Sequence, residues 1–234
     1  MYFLSFETST KIFSLALSQD EKVLRFRNLR SASVLEDSIL PTVDKVLDSA
    51  GITFDQVDGF AVALGPGSFT SLRVGLSTIK AFAMVTHKPV VGIPTLDIIA
   101  QGIKKMSFPN VSVGNPFDNC DQICVINDAR RGKVYAALYN NKGRTGDYLL
   151  TGLDNVMSMV KGKTIFVGDA LGLYRKEIEA ACPKCLFADE KYWFPQSKVM
   201  AALAYQRFQN KQYDDPASLV PLYLYPQDCQ VSKV

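Results

Sequence analysis

Few residues in this chain could carry chemistry by themselves. The turn Glu7-Thr8-Ser9-Thr10 gathers a carboxylate, three hydroxyls and backbone amides, the inventory of a phosphate cradle, although no glycine opens the loop. An ordinary hydroxyl-rich hairpin turn would use the same residues. The single histidine, His87, lies in the turn Thr-His-Lys-Pro and is expected to be solvated. No Ser-His-Asp or Cys-His arrangement can be read from the chain. Of five cysteines, Cys182 and Cys185 form a C-x-x-C pair, which Cys120 and Cys124 could extend to four zinc ligands in number. Geometry opposes this, because Cys124 sits in the strand-like run QICVIND and an extended chain would hold Cys120 roughly 13 Å from it. Free buried or surface thiols are therefore expected ahead of a metal or redox site.

The stretch Ala61 to Thr86 organises what must position such groups. Gly65 and Gly67 allow a sharp turn that Pro66 stiffens, and the Ser68 hydroxyl is placed to cap a long helix. Along that helix Phe69, Leu72, Leu76, Ile79 and Ala83 form one apolar stripe expected to face a sheet. Ser71, Gly75, Thr78 and Phe82 form a second stripe. Small residues at that spacing permit close helix approach, and a mid-helix glycine costs roughly 1 kcal/mol against alanine, so a contact should offset it. That contact lies either inside the chain or in another subunit.

Composition narrows the classes. The 234 residues are 47% hydrophobic and 21% charged, and 26 basic against 23 acidic residues leave a formal charge of +3. Such a balance argues against a protein that holds nucleic acid by its own field, so any nucleic-acid role would be shared. No apolar run approaches the ~18 residues of a membrane span, and Met1 leads into a strand-like segment without a basic leader. A cytoplasmic, membrane-free protein is expected.

In chain order, three short strands (Tyr2 to Glu7, Ile12 to Ser18, Lys22 to Asn28) form a meander. A helix follows from a Ser33/Glu36 capping box, with Leu35, Ile39, Val43, Val46 and Ala50 on one stripe and Pro41 expected to kink or restart it. Strand, helix, strand and helix then run to about Ile103. Lys104 to Asn119, with Pro109, Gly114 and Pro116, reads as a boundary or insertion loop. Beyond it the plan repeats: a hairpin of Gln122 to Asp128 with Lys133 to Tyr139, a turn Asn140 to Gly143, helix Leu153 to Val160, strand Thr164 to Gly168, then helices Leu171 to Ala181 and Ser197 to Gln209. The expected division is 1–103, 104–195, and a C-terminal helix and tail 196–234 packing back towards the first lobe, with Gln227 to Val234 disordered. This is a duplicated α/β fold with a cleft between two lobes.

GPGSFTSLRVGL (Gly65 to Leu76), DARRGKVY (Asp128 to Tyr135), GDA (Gly168 to Ala170) and PLYLY (Pro221 to Tyr225) together resemble the bacterial TsaB, or YeaZ, family over nearly the whole chain. The resemblance implies an actin, Hsp70 and sugar-kinase (ASKHA) fold of two related lobes, each a mixed sheet flanked by helices. It implies a non-catalytic partner that binds and activates the paralogue TsaD for threonylcarbamoyl transfer to adenosine 37 of tRNAs reading ANN codons. The small ATPase TsaE joins through that complex, which would supply ATP, a metal and the contact with tRNA, while this chain needs no cofactor of its own. TsaD-like enzymes carry a metal-binding HxxxH, and the matching positions here are Thr95 and Ile99. Kinase-type relatives use Asp and then Gly where this chain has Glu7 and Ser9, which leaves Glu7, Thr8, Ser9 and Thr10 a weak nucleotide site. The family often has His, Gly, Glu and Arg at the positions of Leu35, Ser71, Lys133 and Tyr225.

The resemblance carries a partner interface to the helix after Ser33 and the helix after Gly67, with Leu35, Ile39, Ser71, Gly75, Thr78 and Phe82 as contact residues. A homodimer could use the same faces when TsaD is absent. On this reading Gly75→Arg should disrupt pairing and leave the fold intact. A stand-alone nucleotide-dependent phosphotransferase or ATPase of the same fold is the alternative.

Overall fold

Tyr2–Glu7 buries every residue after its first, so this strand, β1, must be covered on both faces. The computed structural model describes residues 1–30, 35–104 and 120–225, and the chain divides into two units, Met1–Gly102 with Phe194–Pro221 and Ile103–Trp193 with Leu222–Val234.

In the first unit, β1 pairs antiparallel with β2 (Ile12–Gln19), which pairs with β3 (Lys22–Arg30), and parallel with β4 (Gly59–Gly65), which pairs with β5 (Val90–Pro94). Alternation sorts the side chains: Leu4, Phe6, Leu15 and Leu17 enter one core with Ile39, Val43 and Val46 of α1 (Leu35–Asp48) and Leu76, Ile79 and Ala83 of α2 (Phe69–Thr86). Phe3, Ala61, Val91 and Ile93 enter the opposite core with Ile98 of α3 (Thr95–Lys104) and Met200, Ala204 and Phe208 of α6 (Ser197–Gln209). Beyond α6, Arg207 holds Asp214 at 2.9 and 3.1 Å, while Asp214 accepts from the Gly92 amide at 2.7 Å. That pair anchors the returning chain to β5.

The second unit repeats the plan. Its sheet order is β10-β9-β6-β7-β8 against β3-β2-β1-β4-β5, so adding five to each strand number of the first sheet gives the second. The strands are β6 (Gln122–Asp128), β7 (Val134–Asn140), β8 (Gly143–Thr151), β9 (Thr164–Val167) and β10 (Leu186–Phe187), with α4 (Leu153–Met159) and α5 (Leu171–Ala181) between them. Cys124, Ile126, Phe166, Val156 and Ile178 form its core.

Several expectations are corrected. Helix α1 runs unbroken through Pro41, whose missing donor lies on an exposed turn. Ser68 stands at the N-cap of α2, yet its hydroxyl pairs with that of Ser71 at 2.9 Å and not with the helix backbone. Phe69 is 53% exposed, and the Arg73 guanidinium, 3.8 Å from its ring centre, covers it in place of the sheet. Cys182 and Cys185 are disulfide-bonded, not free, since the end of α5 brings their Cα atoms within 5.5 Å. Beyond the expected turn Asn140 to Gly143 the chain continues as the edge strand β8. Ser33, Lys105 to Asn119 and the tail from Gln227 lie outside the described residues.

Phe82, expected on a partner face, instead has its ring 5.0 to 6.1 Å from those of Phe54, Phe60 and Phe6. Phe82→Ala is expected to cost about 3–5 kcal/mol of unfolding free energy, measured by urea denaturation; a loss under 1 kcal/mol would show that this cluster does not hold α2.

Candidate functional site

The Gly65-Pro66-Gly67 turn sits against the first hairpin turn, and the fit decides what the Glu7–Thr10 segment can do. The Ser68 amide donates to the Ser9 carbonyl at 2.7 Å, and a Cβ on Gly67 would stand 2.2 Å from that oxygen. Gly75 faces the same turn from the next part of α2, where a Cβ would stand 2.2 Å from Thr8 Oγ1. Gly75 is therefore the seat of an internal contact and not a partner contact, and an arginine there would collide with the fold, so Gly75→Arg is not a clean probe of pairing.

Glu7, Thr8 and Ser9 are buried beneath this contact. Glu7 Oε1 accepts from the Ser9 amide at 2.7 Å, while Oε2 and Thr8 Oγ1 have no hydrogen-bond partner among the described residues. Burial pushes the Glu7 carboxyl up to about 7, against the lowering effect of Ser9. The amide best placed to cradle a phosphate is thus taken by Glu7. Outside the turn lies a recess of about 140 Å³ lined by Thr8, Thr10, Lys11, Phe13, Leu35, Ser68 and Ser71. Small-molecule sites usually span ~300–1,000 Å³, so it suits a small polar group better than a nucleotide.

The remaining expected contact residues divide by exposure. Ile39 is 1% exposed and belongs to the core, a correction to its placement at an interface. Leu35, Ser71 and Thr78 are half-buried, and the Thr78 hydroxyl donates to Val74 of its own helix. What α1 and α2 turn outward is a different set: Leu40 at 56%, Phe69 at 53%, Met84 at 61% and Val85 at 82%. The spacing Phe69, Arg73, Ser77, Ala81 and Val85 is a third stripe of α2, readable from the sequence as i, i+4 steps.

In the second unit the other motif stretches converge. The Asp128 amide donates to Asp169 Oδ1 at 2.8 Å, and the Tyr225 hydroxyl donates to the Ala129 carbonyl at 2.7 Å. Tyr225 meets Tyr135 edge to face at 6.2 Å. Burial, then the charge of Asp128, raises Asp169 against the Asp128 amide, and burial raises Tyr135. Arg130, Arg131 and Gly132 all take positive φ, and the Arg130 guanidinium returns to Asp128 at 3.3 Å. Gly168 repeats the role of Gly67, since a Cβ there would stand 2.1 Å from the Ile126 carbonyl. Thr95 and Ile99 are both buried on α3, and no group of three or more His, Cys, Asp or Glu among the described residues could hold a metal ion. No helix among them is long and apolar enough to cross a membrane.

Two duplicated mixed sheets, each closing a helix-start turn on its first hairpin, define a protein of the actin, Hsp70 and sugar-kinase class. YeaZ from Pseudomonas aeruginosa superposes with a TM-score of 0.78 at 21% identity, covering 95% of this chain and 99% of that one. The activator of 2-hydroxyisocaproyl-CoA dehydratase from Clostridium difficile gives 0.53 at 11% identity, over 91% and 97%. Residues 31–227 match the family described as TsaD: tRNA N6-adenosine threonylcarbamoyltransferase. The chain belongs to that family, on its TsaB (YeaZ) branch. The tRNA threonylcarbamoyladenosine biosynthesis protein TsaB of Bacillus subtilis is 26% identical over 96% of this chain and 94% of that one. The protein of the same name from Escherichia coli is 30% identical over 59% of this chain and 55% of its own length. The chain takes part in tRNA threonylcarbamoyladenosine biosynthesis.

Glu7 gives this site a pH signature. With a folded-state value of about 7 against a usual 4.5, the folded chain holds the proton more tightly than the unfolded chain. Its contribution is complete below about 4.5, falls by roughly 3 kcal/mol as pH rises to about 7, and is flat above. Urea melts at pH 5 and pH 8 should show that loss in the wild type and a smaller one in Glu7→Gln; equal losses would place an ionised carboxylate at this position.

Proposed function

We propose that this chain is a non-catalytic partner subunit that binds and activates TsaD for threonylcarbamoyl transfer to adenosine 37 of tRNAs reading ANN codons, acting in the cytoplasm. The observation that carries the reading is the outward face of α1 and α2, where Leu40, Phe69, Met84 and Val85 stay exposed although the core beneath is filled by other residues. Exposed apolar side chains on adjacent helices favour a helical partner face. Membership of the TsaB branch supports TsaD as that partner. Leu35, Ser71 and Thr78 stand at the margin of the face. In the absence of TsaD a homodimer would use the same surface, and TsaE would join through the complex.

A stand-alone phosphotransferase is disfavoured by the occupied Ser9 amide and the small recess beside it. Light scattering after size exclusion should find a one-to-one complex with TsaD of the same organism. Leu40→Glu and Val85→Glu together should weaken it at least tenfold, with thermal melting changed little because both side chains are exposed. An undiminished complex would remove this face from the reading, and tight ATP binding by the chain alone would favour an enzyme.

A further inference from the structure

The disulfide between Cys182 and Cys185 has no part in the function proposed above. It joins the end of α5 to the start of β10, since Cys182 is the C-cap of the helix and Leu186 opens the strand. β10 is the terminal strand of its sheet and pairs with β9 only through Leu186 opposite Ile165 and Phe187 opposite Phe166, whose rings stack at 6.1 Å. So short a strand holds little by itself. The turn between the cysteines, in contrast, keeps its own shape: the Cys182 amide donates to the Ile178 carbonyl at 2.8 Å and the Cys185 amide to the Cys182 carbonyl at 3.0 Å. Two thiols released from Cα atoms 5.5 Å apart would stay within bridging reach. The two residues differ in access. Cys185 is 7% exposed and lies in the core with Phe166 and Ile178, whereas Cys182 is half-buried beside the exposed Pro183 and Lys184.

We propose that Cys182 and Cys185 form a reversible thiol–disulfide exchange site, opened at Cys182 by a dithiol, that fastens β10 when oxidised and loosens it when reduced. A thiolate of the dithiol attacks Cys182 Sγ, the more accessible sulfur; the bond between the cysteines breaks, and Cys185 leaves as a thiolate that takes up a proton. The second thiol, as its thiolate, then attacks the sulfur that the first has placed on Cys182. The dithiol closes to its own disulfide, and Cys182 is released and takes up a proton. Two electrons and two protons pass from the dithiol to the protein. A permanent staple is the competing reading, but closing so short a loop removes less freedom from the unfolded chain than a longer one would. An oxidising catalyst needs its pair at a helix N-terminus, where the dipole steadies a thiolate, and this pair follows a C-terminus. A cytoplasmic setting, which belongs to the function proposed above, favours a transient disulfide over a permanent one; the local geometry stands without it.

The test equilibrates the full chain, without denaturant, in mixtures of reduced and oxidised dithiothreitol, then quenches, alkylates and maps the cysteine peptides by mass. Cys182 and Cys185 should convert between disulfide and dithiol in both directions, as a single two-electron transition. The Ala188 amide, which donates to the Phe166 carbonyl at 2.9 Å just beyond β10, should exchange its hydrogen about tenfold faster in the reduced chain when followed by NMR. Amides of β6 and β7 should change less than about twofold. For the point of entry, an aromatic disulfide probe should label Cys182 in Cys185→Ser at least roughly ten times faster than Cys185 in Cys182→Ser. Should either variant fail to fold, the titration and exchange of the wild type decide alone. Two alkylated thiols at every ratio, or a disulfide that opens only in urea, overturns the inference. Unchanged exchange at Ala188 overturns it too, since the bridge would then fasten nothing, and so does labelling that is equal or reversed between the two variants.

Discussion

The fold of the first unit depends on one close approach, that of the Gly65-Pro66-Gly67 turn to the hairpin turn between β1 and β2. It is fastened by the Ser68 amide on the Ser9 carbonyl, and it is possible only because Gly67 and Gly75 have no side chain to meet Ser9 and Thr8. Everything α2 does follows. Docked here, it covers Leu4, Phe6 and Phe60 with its apolar stripe and carries its remaining stripes to the aromatic cluster and to solvent. The helix loses stability at Gly75 as an isolated segment, and the contact with Thr8 is what offsets it. The same approach limits the turn chemically, because the Ser9 amide beneath the helix donates to Glu7 Oε1 and is not left for a phosphate.

Duplication explains why the second unit carries the denser polar cluster at the matching place. Gly168 stands to the Ile126 carbonyl as Gly67 stands to that of Ser9. No residue like Gly75 seals the second hairpin, and a left-handed run through Arg130, Arg131 and Gly132 carries it outward. Asp169 steadies that turn from below through the Asp128 amide, and Tyr225 steadies it through the Ala129 carbonyl. The resemblance implies an arginine where Tyr225 stands. The structure gives the tyrosine a hydrogen bond to the turn, its hydroxyl donating to the Ala129 carbonyl.

Much of the fold was legible because burial imposes period. The strands of both sheet centres and the helices α2, α3, α5 and α6 stand where apolar spacing put them, and the repetition of the plan could be read from element order alone. Elements at the margins were not legible. Strand β8 is largely exposed and holds two glycines, so no alternation marks it, and β10 is only two residues long. The candidate site was legible in its elements and misread in its residues. Periodicity says that Gly75 and Phe82 share a stripe; it cannot say that Thr8 and three phenylalanines already occupy it. The exposed stripe from Phe69 to Val85 was equally visible in the spacing, but choosing between stripes takes knowledge of which neighbours the sheet supplies.

A small net charge does not mean an even one. Read as a sum, +3 argues against a field that gathers nucleic acid; read along the sheet, β3 alone exceeds it, so the rest of the chain is slightly acidic. Register puts Arg25 and Arg27 on the face of the sheet that Leu15 and Leu17 share with α1 and α2, so this charge lies beside those helices, and Arg25 reaches the end of α1 at the Ser49 carbonyl.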